Sequence, residues 1–538
     1  MVSGYFGSCR HNAAAAPALE SCCGNASFSP SPLLKCAASR KRAPRNYGRA
    51  RCVGSRTGTR RKSEDLDAIA EYKELSARHS QLRGVLSPLR TFPPELLSEI
   101  FGHTQASTKS LVEEYAEHRV FSLNSIPWAL TRVSSRWREV ASRTRALWSP
   151  LVLIFGRGEK PHPLPLLEIH LQRAQYLSIS FQSCYDHSKQ EQIEAFRLLA
   201  QYSERWSSLF MFMTSDLLPI FNALRGQLPT LHKLRIEWEG PEDSTEATGT
   251  ITCLETAPVL THLRLGGPGY PGLTPTQVCP ANLTRYSVDA IWSLHAQVLP
   301  LAPNIKWAYI QIVGEPDDSE LWTESTANSP ILIPQLSHLY VSDPQILYQL
   351  TAPSLNHIAF RSGDEEQDGK YVDVLTEHIK RSGASLQSIR VAGEPSVGGI
   401  HWLLTKFPSI TDFRLVFDTD NFDWDNVHLI MEMLETEHLQ IRRLFFYFQG
   451  SEFDYRPPQQ LAVDTFLTMV CARSDDLKTP LEKVELVLEE QHFEGRKIRR
   501  GLHKLKEENG LQSVFINGGY SYEKARERCL FVCENSNV

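Results

Sequence analysis

One short pattern recurs through the last two-thirds of this chain. An apolar residue is followed by two of any kind, a second apolar residue, one of any kind, and a third apolar residue. It reads Leu231-x-x-Leu234-x-Ile236, Leu260-x-x-Leu263-x-Leu265, Leu336-x-x-Leu339-x-Val341 and Leu355-x-x-Ile358-x-Phe360. It continues as Leu386-x-x-Ile389-x-Val391, Ile410-x-x-Phe413-x-Leu415, Ile441-x-x-Leu444-x-Phe446, Leu481-x-x-Val484-x-Leu486 and Leu511-x-x-Val514-x-Ile516. Less regular copies begin at Ala174, Trp206, Leu283 and Ile305, and starts lie 19 to 40 residues apart, most often 22 to 32. The apolar-x-apolar half has the period of a strand with one buried face. Between copies the period changes. Ile400, Leu403, Leu404 and Phe407, like Val427, Ile430, Met431 and Leu434, fall at i, i+3, i+4 and i+7, one face of a helix. Strand then helix, repeated, predicts an α/β chain of parallel strands with helices on the outer face. Units this small bury their apolar faces only on their neighbours.

The spacing resembles a leucine-rich repeat without its asparagine ladder, which implies an irregular horseshoe-shaped solenoid over residues 156–538. The competing fold is a doubly wound α/β enzyme, whose apolar strands also alternate with helices. No nucleotide loop accompanies the strands: Gly363 to Lys370 ends in Gly-Lys, but Tyr371 follows and the loop is acidic. There is no His-Glu-x-x-His, Gly-x-Ser-x-Gly or Cys-x-x-Cys, and Cys529 with Cys533 is a weak metal signal. The chain is therefore expected not to be an enzyme, with no catalytic residue, cofactor or metal.

The middle residue of each apolar-x-apolar strand should point away from the core, onto the concave face. Those positions include Arg235, Arg264, Arg390 and Arg414, with Phe210, Tyr340, Phe445 and Phe515. Arginine and aromatics are enriched at binding hot spots, and arginine matches carboxylate or phosphate bidentately. A face binding an acidic or phosphorylated protein segment is the expectation. The ordinary alternative is an arginine paired with a neighbouring carboxylate.

Upstream lies a different element. Residues 87 to 101 contain Phe92-Pro93-Pro94-Glu95-Leu96-Leu97, then Ile100 and Phe101. Prolines suit a helix start, Glu95 suits its positive end, and the four aliphatic and aromatic residues share one face. A second segment places Val133, Trp137 and Val140 at i, i+4 and i+7, and Leu147-Trp148 closes the module. These residues resemble the F-box-like domain abundant in mushroom-forming fungi, over residues 63 to about 155. Phe92 stands where leucine is usual, Gly102 to Ser125 is a long connection, and Ser134-Ser135 replace a usual Cys and basic residue. The resemblance implies docking on a Skp-type adaptor, and through it on a cullin. The adaptor contacts would be Phe92, Pro93, Pro94, Glu95, Leu96, Leu97, Ile100, Phe101, Val133, Trp137 and Trp148. An ordinary helical hairpin in a larger core is the alternative.

The net charge of −5 hides a split. Residues 1–62 hold twelve Lys or Arg against one acid, Glu20, a charge of +11, which leaves −16 on the remainder. That tail has no apolar periodicity and is expected to be disordered; its basic clusters fit a nuclear address, a transit peptide or a solvated extension. Residues 63–86 predict a helix packed against the following module. Acidic stretches at 239–248, 316–324 and 363–368 read as loop insertions. Eleven dispersed cysteines suit an intracellular, reduced protein, and no apolar run is long enough to span a membrane. The organisation expected is a basic tail (1–62), a helix (63–86), an F-box-like domain (87–155) and the repeat region (156–538). The function expected is substrate recognition for a Skp/cullin/F-box ubiquitin ligase, cytoplasmic or nuclear, with an unidentified protein substrate. The alternatives are a non-ligase interaction scaffold and a nuclear protein held on nucleic acid by its tail. Nucleic acid and membrane are not expected as partners of the body.

Overall fold

The computed structural model describes residues 72–76, 78–79, 92–109, 121, 125–156, 162–184, 188–239, 250–266, 280–313, 330–362, 365–417, 424–436, 440–448, 463–475, 480–488 and 495–517. Two compact units divide the chain, residues 1–87 and 88–538. Of the first, residues 72–76 and 78–79 are helical, with Tyr72 and Leu75 exposed. The basic tail, most of the connection from Gly102 to Ser125, the stretches 240–248 and 316–324, and Cys529 and Cys533 lie outside the described residues. The third acidic stretch is not a loop throughout, because a helix runs over Glu365–Ser382. Acids at a helix start meet the positive end of its dipole.

The second unit is built on one parallel sheet of 14 strands. Its first half comprises β1 (Pro150–Ile154), β2 (Leu177–Gln182), β3 (Trp206–Met213), β4 (Lys233–Trp238), β5 (His262–Gly266), β6 (Arg285–Ala290) and β7 (Trp307–Ile312). After β8 (Ile331–Leu332) come β9 (His338–Val341), β10 (Leu350–Thr351), β11 (His357–Ser362), β12 (Ser388–Gly393) and β13 (Asp412–Phe417). The series closes with β14 (Arg443–Phe448), β15 (Lys483–Leu488) and β16 (Gln512–Asn517). Strands β8 and β10 pair only with each other; every other strand is hydrogen-bonded to the next in chain order, from β1 to β16. The sheet is open, since β1 and β16 do not meet. A doubly wound sheet reverses its strand order at a switch point. This one never does, so the doubly wound topology is excluded and the architecture is α/β and solenoid-like.

Strands β2 to β7, β9 and β11 to β16 all coincide with copies of the sequence pattern. The residue opening each copy is buried, as at Leu231, Leu260, Leu336 and Leu355, and sets the corner before the strand. At these corners one carbonyl accepts from two successive N–H groups of the next unit. Thr261 O takes Thr284 N and Arg285 N, Thr284 O takes Lys306 N and Trp307 N, and Lys306 O takes Ser337 N and His338 N. The same pairing continues from Ser337 to Arg442. Hydroxyls reinforce it: Thr261 Oγ1 donates to His232 O at 3.0 Å, and Ser337 Oγ to Lys306 O at 3.0 Å. Buried backbone groups need partners, and this ladder supplies them where no asparagine ladder exists.

Residues 88–538 form one compact unit. Helix Pro94–Lys109 packs on helix Ser135–Arg143 and on the short turn Arg145–Trp148. Phe101 meets Trp137 with ring centroids 4.9 Å apart, and Ser98 Oγ lies 2.8 Å from Thr144 Oγ1. The joint to the sheet is aromatic. Trp148 meets Trp128 and His170 edge to face at 5.3 and 5.2 Å, and the Arg173 guanidinium lies 4.5 Å from the Trp148 ring centre. His170 and Arg173 belong to helix Leu164–Arg173, the crossover between β1 and β2. A single helix through Val133, Trp137 and Val140 is not what forms. Ser134 is extended (φ −160°, ψ 167°) and splits it into Ile126–Val133 and Ser135–Arg143. The physical reason is capping: Ser134 Oγ accepts from Trp137 N at 3.1 Å, starting a new helix.

Candidate functional site

Two surfaces hold the residues singled out by sequence. On the helical module the apolar residues divide into two groups. Leu97, Phe101 and Trp148 are at most 1 % exposed and hold the module together; no partner can touch them. Phe92 and Trp137 are half-buried against the same core, and the Arg136 guanidinium donates to Phe92 O. Pro93, Pro94 and Glu95 are exposed at the helix start. Leu96, Ile100 and Val133 are 48 %, 39 % and 58 % exposed. Leu96 and Ile100 lie one turn apart, on one side of the helix. Large aliphatic groups left this open on a packed module are surface that a partner can cover.

The second surface is the face of the sheet opposite the helix-covered core. In register across adjacent strands, Arg235, Arg264, Ser287, Tyr309, Tyr340, Ala359, Arg390, Arg414 and Phe445 form one row. The six residues proposed from sequence for this face are therefore brought together, but not as open groups. Tyr340, Arg390 and Phe445 are 6 %, 5 % and 3 % exposed, which corrects the expectation that they await a ligand. Strands lie about 4.8 Å apart, so large side chains in one row cover each other. Tyr340 stacks on Tyr309 at 4.3 Å, and Phe445 joins Val416, Tyr447 and Val487 in a second small core. Arg235 Nε donates to Glu237 Oε1 at 2.7 Å while its guanidinium sits 4.6 Å from the Phe210 ring, and Arg264 reaches the same carboxylate at 3.4 Å. Arg414 grips Asp412 with two bonds of 2.7 and 2.8 Å. Burial pushes the Asp412 carboxyl up, but Arg414, with Arg390 and Arg443, more than offsets it and holds it below the usual range. Phe515 is turned the other way. It pairs with Leu486 and packs on the main core, because β16 is shifted by one residue from the alternation read in the sequence.

A neighbouring row, at the strand entries, was missed. It runs Lys233, His262, Arg285, Trp307, His338, His357, Ser388, Asp412, Arg443 and Lys483. Its residues lie two before the middle positions, and strand alternation puts i and i+2 on one face, so the sequence did carry the signal. Rings in this row are stacked face to face: Trp307 on His338 at 3.6 Å and His338 on His357 at 4.1 Å. Arg285 covers the other side of Trp307 at 5.0 Å. Burial lowers the His262 pKa to about 4, with Arg285, Lys233 and His232 adding to the effect. Burial likewise lowers His338 to about 3, aided by His357, Arg285, Arg390 and Arg414. Both rings are neutral at pH 7 and sit in a positive field. Their tautomers follow from the hydrogen bonds. Thr261 Oγ1 has given its proton to His232 O, so at 2.8 Å it accepts from His262 Nδ1; Ser337 Oγ stands likewise, 2.9 Å from His338 Nδ1. That leaves each Nε2 a bare acceptor.

Among the described residues no His, Cys, Asp and Glu cluster is placed to hold a metal, and no helix is long and apolar enough to cross a membrane. Comparison with known proteins adds little. No family model matches the sequence, and no curated protein does. A crystal structure of a Bacteroides fragilis protein aligns over 63 % of this chain and 87 % of its own at 11 % identity, with a TM-score of 0.28, a likeness too slight to carry any inference.

Proposed function

We propose that this protein is the substrate-recognition subunit of a Skp/cullin/F-box ubiquitin ligase, with an F-box-like module joined to an irregular leucine-rich-repeat horseshoe. The observation that carries this reading is the open apolar set Leu96, Ile100 and Val133 beside Pro93-Pro94, on a module whose other anchors are buried. The adaptor would cover those three side chains, and the sheet face would hold an acidic or phosphorylated segment of the target. This chain would perform no chemistry. Its rigid aromatic joint would fix the distance between adaptor and target, raising the effective concentration of target lysines near the charged ubiquitin carrier.

Exposed positions make the test clean. Truncating a central apolar anchor costs about 2 kcal/mol or more, roughly thirtyfold in affinity. Leu96→Ser with Ile100→Ser is expected to lower binding to a purified Skp-type adaptor at least that far, with an unchanged thermal transition. Val133→Ser should act in the same direction. Full adaptor binding by the double variant, measured by titration, would remove the assignment.

A further inference from the structure

We propose that the open end of the sheet, at the free edge of β16, takes an extended acidic segment of a partner protein as an added strand. β16 is the last strand of the series, and among the described residues it pairs only with β15. Gln512 N donates to Glu482 O at 3.0 Å, toward the β15 side. In a parallel ladder successive residues bond to opposite sides. The N–H and C=O groups of Ser513, Phe515 and Asn517 therefore face the open edge. They are three donors and three acceptors in extended array, the groups to which a further strand adds. This edge is separate from the sheet face that carries Arg235 and Arg414, and the proposal stands whether or not the ligase reading holds.

The helix beside that edge determines the charge of the added segment. Helix Gly495–Asn509 holds six Lys or Arg against Glu507 and Glu508, whereas the chain beyond its tail carries −16. Contacts fix which way each side of this helix faces. Ile498, Leu502 and Leu505 are buried in the main core. Lys497 Nζ donates to Asp464 Oδ2 at 3.0 Å, and a Cβ on Gly501 would lie 2.7 Å from Leu467 Cδ2. That side therefore packs on helix Val463–Ser474 of the preceding unit. At about 100° per residue, Arg499 and Lys506 fall on the opposite side, at the open end. Both are exposed, and neither is held by a described carboxylate. The Arg499 guanidinium lies 5.8 Å from the ring centre of half-buried Phe515, which ties this side of the helix to the edge. Arg499 and Lys506 stand about 10 Å apart along the helix axis. Acidic residues at alternate positions of an added strand recur about every 7 Å on one face, within reach of both cations. Other occupants fit less well. A second copy joined edge to edge would set these cations against their own counterparts. A nucleic-acid backbone offers phosphate acceptors and no donors for the three carbonyls, and Phe515 already carries Arg499 on its ring.

The test uses the full-length chain and a fluorescent peptide of alternating threonine and glutamate, titrated by anisotropy. Two controls accompany it, the same peptide N-methylated at every amide and a counterpart with lysine for glutamate. The acidic peptide is expected to bind about tenfold more tightly than either control. Arg499→Glu and Lys506→Glu should each weaken it about tenfold. Arg500→Glu, exposed on the outward side of the same helix, should leave it unchanged. Ser513→Pro removes one outward N–H that β15 does not use, so it should abolish binding with an unchanged thermal transition. Equal binding of either control peptide, full binding by Arg499→Glu and Ser513→Pro, or an equal loss with Arg500→Glu would overturn the proposal. So would tighter binding of a short single-stranded RNA, or a concentration-dependent dimer that Ser513→Pro dissolves, which would assign the edge to a second copy. Loss of adaptor docking with peptide binding intact would instead sink the ligase reading and leave the edge site standing.

Discussion

Acidification from pH 7 to pH 5 is expected to destabilise this protein steeply, before most of its carboxylates titrate. His170, His295 and His378 are 2 %, 0 % and 0 % exposed, and burial, the leading cause in each, lowers their pKa to about 4. Nearby backbone offsets part of this, through Trp148 and Pro150 at His170 and through Leu347 at His378. His295 keeps its Nδ1 2.9 Å from the hydroxyl of Tyr286, whose own ionisation burial pushes up. In the unfolded chain the same rings protonate near 6.5. Between these values the unfolded state holds more protons, so stability is complete above about pH 6.5 and falls as the pH drops toward 4. Each histidine contributes a slope of about 1.4 kcal/mol per pH unit, and three together about 4. Denaturant midpoints at pH 7, 6 and 5 should fall progressively, and His378→Gln should flatten the curve. A midpoint constant from pH 7 to 5 would show that these rings are not buried neutral.

Replacing Trp148 by alanine is expected to cost about 3 to 5 kcal/mol, the range for truncating a buried tryptophan. Trp148 is fully buried, its Nε1 donates to Ala141 O at 2.9 Å, and Trp128, His170 and Arg173 all pack on its ring. It is the piece that fastens the helical module to helix Leu164–Arg173. Its loss should lower the urea midpoint sharply and weaken adaptor binding indirectly, through loosening of the module. Leu96→Ser with Ile100→Ser should do the reverse, losing binding with the midpoint intact. A Trp148→Ala protein as stable as the parent would mean that the joint carries no strain of the fold. Because His170 packs edge to face on Trp148, acid should open this joint early, and tryptophan fluorescence would report it.

Local periodicity made the strands legible. The three apolar positions of each copy, at Leu260, Leu263 and Leu265 for example, specify a corner and one buried face without reference to anything distant. The helices at Val397–Lys406 and Trp424–Thr436 were legible for the same reason, and so were the prolines that open helix Pro94–Lys109. The sequence also located the row containing Arg235, Arg264, Arg390 and Arg414. Strand β1 escaped, because Leu147, Leu151 and Leu153 do not keep the spacing.

What each residue faces was decided by tertiary structure. Leu96 and Leu97 are neighbours of equal hydrophobicity, yet one is open and the other buried, because helix Ser135–Arg143 covers only one side. The split at Ser134 depends on a side-chain cap that competes with continued helix, a contest periodicity does not record. Trp307, His338 and His357 are separated by 31 and then 19 residues along the chain and become a stack only when parallel register places them side by side. A period along the chain shows that two residues share a face. Hydrogen bonding between strands determines which distant residues become neighbours on that face, and hence which charges are satisfied and which rings are covered.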